Sequence, residues 1–146
     1  MKIAVGTDHR GLDYKKFVID LLTEMGYESQ DCGSYSTDPV DYPDIAKAVA
    51  ETVVKSQCDY GVLICGTGIG MSIAANKVKG IRAALCCDVF SASRARAHNN
   101  ANIICLGAER GQAGVKGILQ AFLTTPFEGG RHQRRLDKMS AMEKIP

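Results

Sequence analysis

The pattern of hydrophobic and polar positions along this chain is typical of α/β proteins. Short apolar runs bounded by turn residues predict five buried strands, and the segments between them repeat apolar residues at helical spacing. The predicted strands cover Lys2–Gly6, Tyr27–Cys32, Tyr60–Cys65, Ile81–Cys87 and Ile103–Leu106. Strands that alternate with helices favour a parallel sheet that is covered by helices on both faces.

The predicted helices fill the intervals between these strands. An apolar stripe from Tyr14 to Met25 predicts the first helix, and Gly26 stops it. Asp44 is the expected N-cap of a second helix, which continues to about Ser56. The remaining helices are predicted over Met71–Val78, over Val89–His98 and along a stripe from Val115 to Phe122.

Length and tail composition indicate one domain with a basic extension. A chain of 146 residues is long enough to bury a core of its own, so residues 1–146 are expected to form a single domain. Segment 128–146 is the C-terminal tail, in which Leu136 and Met139 indicate a short helix. Neither a repeat nor a second domain is indicated.

Charge and cysteine content exclude several classes of function. A net charge of +2 and a pI near 8.2 are too small to argue for a nucleic-acid partner. No apolar run approaches the roughly 18 residues of a membrane span, and no signal-peptide pattern is present, so a cytoplasmic protein is expected. The six cysteines form no C-x-x-C pair. They are expected to be mostly small core residues in a reducing compartment, with no metal.

A glycine-rich turn after the third predicted strand carries the first candidate chemistry. Cys65 ends that strand, and Gly66-Thr67-Gly68-Ile69-Gly70 leads into a helix. Glycines allow a close approach of the backbone to an anion, and a helix N-terminus favours negative charge. A P-loop would need a lysine where Met71 stands, and the dinucleotide fingerprint would need its last glycine one place later. We therefore expect an anion site of neither standard type.

Candidate groups fall on both edges of the predicted sheet. Asp8 and His9 follow the first strand, so they should lie at the same edge as Cys65. His98 and Asn99 precede the fifth strand and should lie at the opposite edge, unless the chain folds back or a neighbouring subunit supplies them. An active site at a dimer interface follows from this arrangement as a hypothesis.

Several motifs together resemble the ribose-5-phosphate isomerase B family, which also contains the galactose-6-phosphate isomerase subunits. The resemblance spans nearly the whole chain and rests on Asp8-His9-x-Gly11, Asp41-Tyr42-Pro43, Cys65-Gly66-Thr67-Gly68-x-Gly70-x-Ser72-Ile73-Ala74-Ala75-Asn76-Lys77, His98-Asn99 and Glu128-Gly129-Gly130-Arg131-His132. It implies a Rossmann-like three-layer α/β/α sandwich with a five-stranded parallel sheet. It also implies a homodimer or dimer of dimers, no metal or other cofactor, and active sites completed across the interface.

The resemblance implies an aldose–ketose isomerase that interconverts D-ribose 5-phosphate and D-ribulose 5-phosphate through a cis-enediolate. Cys65 would be the base that moves the proton between the two carbons. Thr67 would relay a proton between the substrate oxygens. The substrate-binding backbone of the turn, which would hold the enediolate, consists of Gly66, Gly68, Ile69 and Gly70.

The remaining site residues are also assigned from the resemblance. His98 would open the furanose ring, Asn99 would bind the substrate, and Asp8 would contact sugar hydroxyls or assist ring opening. His9, Arg131 and Arg135 would bind the phosphate, because arginine forks suit a phosphate dianion. The tail would therefore contribute to both the dimer and the phosphate site.

Departures from the family pattern leave the identity of the substrate undetermined. Met71 stands where some members have a glutamate, so no carboxylate is expected to compete with Cys65 as the base. The Gly-x-Arg spacing is altered in Gly107–Gly111, which leaves the role of Arg110 open. A six-carbon sugar 6-phosphate isomerase of the allose or galactose type is the alternative enzyme. A non-catalytic sugar-phosphate-binding module is the alternative of another class.

Overall fold

A computed structural model describes residues 1–144, so the last two residues of the predicted tail 128–146 lie outside the described part of the chain. The strands are β1 (Lys2–Thr7), β2 (Glu28–Asp31), β3 (Tyr60–Cys65), β4 (Ala83–Leu85) and β5 (Ile103–Gly107). The helices are α1 (Leu12–Glu24), α2 (Tyr42–Val54), α3 (Ile69–Ala75), α4 (Val89–Asn99), α5 (Val115–Thr124) and α6 (Arg131–Met142), with a 3₁₀ turn at Ala108–Arg110.

All five strands are parallel and lie in the order β2-β1-β3-β5-β4. From β1 the chain moves outward to β2 on one side, and from β3 it passes to the edge strand β4 on the other side before it returns to β5 between them. The order therefore reverses between β1 and β3, and this is the position where open α/β sheets bind ligands outside the carboxyl ends of their strands.

Two apolar layers enclose the sheet. One face packs against α1, α4 and α5 through side chains that include Val18, Leu119 and Phe122. The other face packs against α2 and α3, with Val49 and Met71 at 0% exposure. Burial of both faces explains why the central strands are continuous apolar runs without alternation. The predicted three-layer α/β/α sandwich is confirmed.

The two edge strands are shorter than predicted. The predicted strand Tyr27–Cys32 pairs only over Glu28–Asp31, and the predicted strand Ile81–Cys87 pairs only over Ala83–Leu85. Each edge strand has one neighbour, so apolar residues at its ends gain no second ladder of hydrogen bonds. Cys87, which was predicted to be a core residue, is exposed beyond the end of β4, and Cys32 is only partly buried.

Two helix starts were also misplaced. Asp41, not Asp44, is the N-cap of α2, because Tyr42 and Pro43 already form the first turn. Helix α3 begins at Ile69, inside the glycine run, rather than at Met71.

The tail helix α6 is longer than predicted, and it buries Leu136 while Met139 remains 42% exposed. Across residues 1–144, every helix is too short or too polar to traverse a bilayer.

Candidate active site

The carboxyl ends of β1 and β3 bring Asp8 and Cys65 to the same crevice. Cys65 is the last residue of β3, and Asp8 directly follows Thr7 at the end of β1. Together with Arg10, Gly66 and Glu109, they line a cavity of about 330 Å³. This is the position at which the strand order reverses, so the fold itself selects the crevice as a ligand site.

The thiol of Cys65 is held by the turn that follows it. Cys65 is 7% exposed, and its Sγ accepts a hydrogen bond from the backbone N–H of Gly68 at 3.2 Å. A backbone N–H directed at the sulfur also fixes the rotamer of the Cys65 side chain. The geometry therefore places the sulfur of Cys65 at the crevice with a backbone N–H donor directed at it.

Two glycines of the turn are required by packing as well as by any ligand. Gly68 has φ +81°, and an added Cβ would lie 2.6 Å from Cδ1 of Leu85. Gly70 lies under the ring of Tyr42, where a Cβ would be 2.6 Å from Cζ. We had interpreted the number of glycines as a sign of anion binding, but close packing accounts for both of these positions.

Thr67 keeps its hydroxyl proton available. Its Oγ1 accepts a hydrogen bond from the N–H of Ile69 at 3.1 Å, which uses a lone pair and leaves the O–H to donate. Thr67 and Ile69 line a second cavity of about 410 Å³ with Leu85 and Arg110, adjacent to the first at Gly66. A hydroxyl that accepts on one side and donates on the other suits a proton relay.

Asp8 and His9 are both fixed by the backbone around them. Oδ1 of Asp8 accepts the N–H of Arg10 at 3.0 Å, which is the turn cap that such a position commonly forms, and Oδ2 remains for a ligand. Nδ1 of His9 accepts the N–H of Val40 at 3.1 Å. An accepting Nδ1 places the imidazole proton on Nε2, so His9 presents an N–H donor away from Val40.

Glu109 is a carboxylate at this site that sequence reasoning missed. We expected no carboxylate to compete with Cys65 as the base, because Met71 stands where some family members have a glutamate. The structure instead brings Glu109 to the Cys65 cavity from the 3₁₀ turn after β5, with its carboxylate against Gly66.

A second cluster of candidate groups surrounds the end of α4 and the start of α6. The imidazole rings of His98 and His132 stack with centroids 4.2 Å apart and planes 12° apart. Oε1 of Glu128 lies 3.8 Å from Nε2 of His98 and 3.5 Å from Nε2 of His132. The backbone N–H of Glu128 donates to the carbonyl of Ala97 at 3.0 Å, which attaches the tail to α4.

The environment of His132 favours its neutral form. Burial lowers the pKa of His132, the positive charges of His98 and Arg131 lower it further, and Glu128 acts in the opposite direction. The neutral imidazole can then stack closely on His98 without charge repulsion. No role was assigned to His132 from the sequence, although it belongs to the Glu128–His132 motif.

The other predicted residues of this cluster are Asn99, Arg131 and Arg135. The carbonyl of Asn99 accepts Nε of Arg82 at 3.1 Å, which fixes the backbone next to His98. Arg131 begins α6, and Arg135 follows one turn later, and both are exposed. Two guanidinium groups one helical turn apart form a positive edge beside His98.

The two clusters lie at opposite edges of the sheet within one chain. The segment that enters β5 meets Gly61, whose N–H donates to the carbonyl of Asn102, whereas Gly107 at the other end of β5 pairs with Cys65. Along β3, Cys65 is four residues beyond Gly61, which corresponds to about 13 Å at roughly 3.3 Å per residue. Among residues 1–144, no hydrogen bond or salt bridge joins the His98 cluster to the Cys65 crevice.

The His98 cluster is also the one group of potential metal ligands found in residues 1–144. Ligand atoms of His98, Glu128 and His132 all lie within 4.8 Å of one another. Imidazole lone pairs lie in the ring planes, so two stacked, nearly parallel rings hold them in separate planes that do not meet at one ion. This arrangement does not suit a resident metal.

The remaining buried thiols are poor proton carriers. Burial raises the pKa of Cys86 to about 11 and the pKa of Cys105 well above its ordinary range. A thiol that stays protonated cannot act as a base near neutral pH. Cys65 therefore differs from these neighbours by its position at the crevice and by the N–H donated to its sulfur.

Comparison with known proteins identifies the group to which this fold and site belong. The sequence profile of the ribose/galactose isomerase family matches residues 3–139. The ribose-5-phosphate isomerase B of Escherichia coli is 44% identical over 144 residues, which cover 98% of this chain and 97% of that protein.

Solved structures agree with the sequence match. The ribose-5-phosphate isomerase B of Clostridium thermocellum superposes with a TM-score of 0.96 at 46% identity, covering 99% of this chain and 98% of that one. The ribose-5-phosphate isomerase B of Mycoplasma genitalium, solved with bound ribulose-5-phosphate, has a TM-score of 0.92 at 43% identity, covering 99% and 97%.

Proposed function

Because this chain belongs to the ribose/galactose isomerase family, we propose that it interconverts D-ribose 5-phosphate and D-ribulose 5-phosphate. The observation that carries the proposal is the thiol of Cys65, which accepts the Gly68 N–H in the crevice where the strand order reverses. Relatives named as ribose-5-phosphate isomerases B, including one solved with ribulose-5-phosphate, support the choice of a five-carbon substrate.

The reaction transfers one proton between neighbouring carbons. The Cys65 thiolate takes the proton from C2 of the open-chain aldose, which leaves a cis-enediolate, and the thiol returns this proton to C1. The hydroxyl of Thr67 moves a proton from O2 to O1 in the same interval. Backbone N–H groups of the Gly66–Gly70 turn stabilise the oxyanion, which is usually the larger energetic contribution.

Ring opening comes first, because ribose 5-phosphate in water is mainly a furanose. We assign this step to His98, and we propose that a second copy of the chain supplies it to the Cys65 crevice. The support is geometric, since His98 lies at the opposite edge of the sheet from Cys65 in its own chain. An imidazole exchanges protons near neutral pH and can both donate to the ring oxygen and accept from O1.

The phosphate is assigned to groups from both copies. Nε2–H of His9 donates from one chain, and Arg131 and Arg135 approach with His98 from the other, while Asn99 contacts the sugar. The positive edge of α6 then faces a dianion instead of solvent. This arrangement explains why the tail helix begins with arginines and is attached to α4 through Glu128 and Ala97.

Exposed apolar side chains beside the crevice support a homodimer or a dimer of dimers. Ile69 is 52% exposed and Leu85 is 40% exposed, and both line the cavity that contains Thr67. Phe90, at the start of α4, is 66% exposed. Apolar groups next to a polar site are typical of a surface that another protein chain covers. A second copy would bury them and complete the site at the same time.

We also place this isomerase in the cytoplasm, in the pentose phosphate branch of carbohydrate metabolism. The six cysteines are all free in the structure, which suits a reducing compartment. Interconversion of a five-carbon aldose phosphate with its ketose is a step of that branch.

A panel of aldose phosphates tests the function. Coupled assays should give the highest kcat/KM for ribose 5-phosphate, with allose 6-phosphate and galactose 6-phosphate well below it. A preference for a six-carbon substrate would reassign the enzyme within the family. Thermal stabilisation by ribose 5-phosphate without any conversion would indicate a binding module and overturn the proposal.

A further inference from the structure

The carboxylate of Glu109 is held against the turn that carries the thiol. Its backbone N–H donates to the carbonyl of Gly66 at 2.9 Å, so the 3₁₀ turn after β5 is attached directly beside Cys65. Oε1 of Glu109 lies 2.9 Å from the position that a Cβ would occupy on Gly66. The carboxylate therefore fills the space that the missing side chain of Gly66 leaves open.

This carboxylate is not used by the protein itself. Within residues 1–144, the Glu109 side chain makes no hydrogen bond or salt bridge, although the exposed side chains of Arg10 and Arg110 are close in the fold. It lines the 330 Å³ cavity with Asp8 and Cys65, and it also lines the neighbouring cavity that contains Thr67. A carboxylate without a protein partner in a ligand crevice is available to accept hydrogen bonds from a ligand.

The two carboxylates give the crevice a preference for one end of a sugar phosphate. Asp8 and Glu109 line the same small cavity, with Arg10 as its one basic side chain. Hydroxyl groups can donate to carboxylates, whereas a phosphate dianion has only acceptors and is repelled by them. The polyol end of a substrate is therefore favoured here and the phosphate end is not.

We propose that Glu109 is a substrate-orienting residue, which accepts a hydrogen bond from a sugar hydroxyl and keeps the phosphate away from Cys65. This proposal rests on the proposed function and specifies which end of the substrate enters the crevice. A substrate bound in reverse would place its phosphate at the thiol and could not react, so Glu109 prevents a non-productive complex.

The test compares Glu109→Gln with the wild-type enzyme by kinetics and by calorimetric titration with inorganic phosphate. Glutamine keeps the size and the hydrogen-bond acceptor but removes the charge. We expect kcat/KM for ribose 5-phosphate to fall about tenfold, while inorganic phosphate binds at least about threefold more tightly. Glu109→Asp, which restores the charge, should recover most of the discrimination against phosphate.

Glu24→Gln is the matched control. It removes the same charge from an exposed ion pair with Lys116 on the surface, and it should leave both constants unchanged. A purely structural role for Glu109 would weaken both ligands together or lower the melting temperature. Unchanged phosphate affinity in Glu109→Gln would overturn the proposal, whatever happens to turnover.

The outcome remains interpretable if the substrate is different. Phosphate titration does not require turnover, so it reports on the charge of Glu109 even if ribose 5-phosphate is not converted. If the wild-type protein does not convert ribose 5-phosphate, only the proposed reaction is overturned. Identical phosphate binding by the wild-type, Glu109→Gln and Glu109→Asp proteins would overturn the orienting role alone.

Discussion

Cys65 differs from the other buried thiols in what surrounds its sulfur. Cys105 lies on β5, two residues before Gly107, the partner of Cys65 in the sheet. It is enclosed by apolar side chains, and burial keeps its pKa high. Cys65 ends its strand and receives an N–H from the turn. The chemistry of the thiol thus depends on where the strand stops, one residue before Gly66, and the same residue type earlier in the strand would be inert.

Replacing Cys65 by alanine should remove the proton carrier and leave the binding groups in place. We expect kcat to fall about 1,000-fold with KM within about threefold of the wild-type value, because general acid–base groups contribute roughly 10²–10⁴. Cys58→Ala, a buried thiol before β3, is the control and should keep its kcat. Full activity of Cys65→Ala would show that another group is the base.

His132 should make the stability of the protein depend on pH. Its pKa is lowered in the folded state, so below the ordinary histidine pKa of about 6.5 the unfolded chain binds the proton more readily. The contribution of His132 to stability is therefore present above that pH and is lost as the pH falls. The melting temperature of the wild-type protein should decrease between pH 7.5 and 5.5.

His132→Gln provides the comparison for this effect. Glutamine does not titrate, so the melting temperature of the variant should decrease less than that of the wild-type protein over the same pH interval. Arg134→Gln, an exposed substitution on the same helix, should follow the wild-type profile. Equal losses in the wild-type and His132→Gln proteins would show that His132 does not titrate differently on folding.

At the scale of elements, a buried lysine joins α1 to the loop that supports His9. Nζ of Lys15 is 2.8 Å from Oδ1 of Asp31 and donates to the carbonyl of Ser34 at 2.5 Å. Lys15 is only 6% exposed. The loop from Ser34 then leads to Val40, whose N–H donates to His9. His9, which we propose to bind the phosphate, is thus connected through this loop to the salt bridge of Lys15.

Lys15→Met should test this connection. Methionine removes the buried ammonium, which loses its bonds to the 38%-exposed carboxylate of Asp31 and to the carbonyl of Ser34, and we expect a loss of about 2 kcal/mol in the free energy of unfolding. Urea denaturation measures this loss. KM for ribose 5-phosphate should rise as well, because the support of His9 is loosened.

Lys16→Met is the neighbouring control. Lys16 pairs with Asp20 on the exposed face of α1, so its loss should cost less than about 0.5 kcal/mol. Similar losses for Lys15→Met and Lys16→Met would contradict a supporting role for the buried Lys15 side chain.

The order of the elements could be predicted from the sequence, but their ends and side-chain neighbours could not. The central strand Tyr60–Cys65 matches its prediction at both ends, because it is buried on both faces and reads as an unbroken apolar run. The edge strand β4 was overextended, since local apolarity does not show where pairing stops. Glu109 was missed because its approach to Gly66 depends on the packing of β5 beside β3, far away along the chain.

At the scale of the whole molecule, the two clusters that the proposed reaction combines lie at opposite edges of the sheet. The resemblance to a known family predicted both sets of residues, and the separation follows from strand order alone. The subunit that supplies each group depends on how the surfaces of two copies meet. A single sequence contains no information about that contact. A mixing experiment can supply this information.

Two inactive variants should restore each other if the site is shared. A mixed dimer of Cys65→Ala and His98→Asn contains one site with both the intact Cys65 and the intact His98. Random pairing after refolding together should return about a quarter of the wild-type activity, because half of the dimers are mixed and each has one intact site. Each variant refolded alone is the control. No recovery from mixed dimers would show that each chain supplies its own histidine.

The contact between Gly70 and Tyr42 also constrains how this sequence can vary. The tyrosine ring begins α2 and rests on the glycine at the start of α3, with no room for a Cβ between them. Neither position can change freely, because a larger residue at 70 requires a smaller one at 42. Among descendants of this sequence, the two positions should therefore co-vary, and a designer who alters the ring must choose both residues at once.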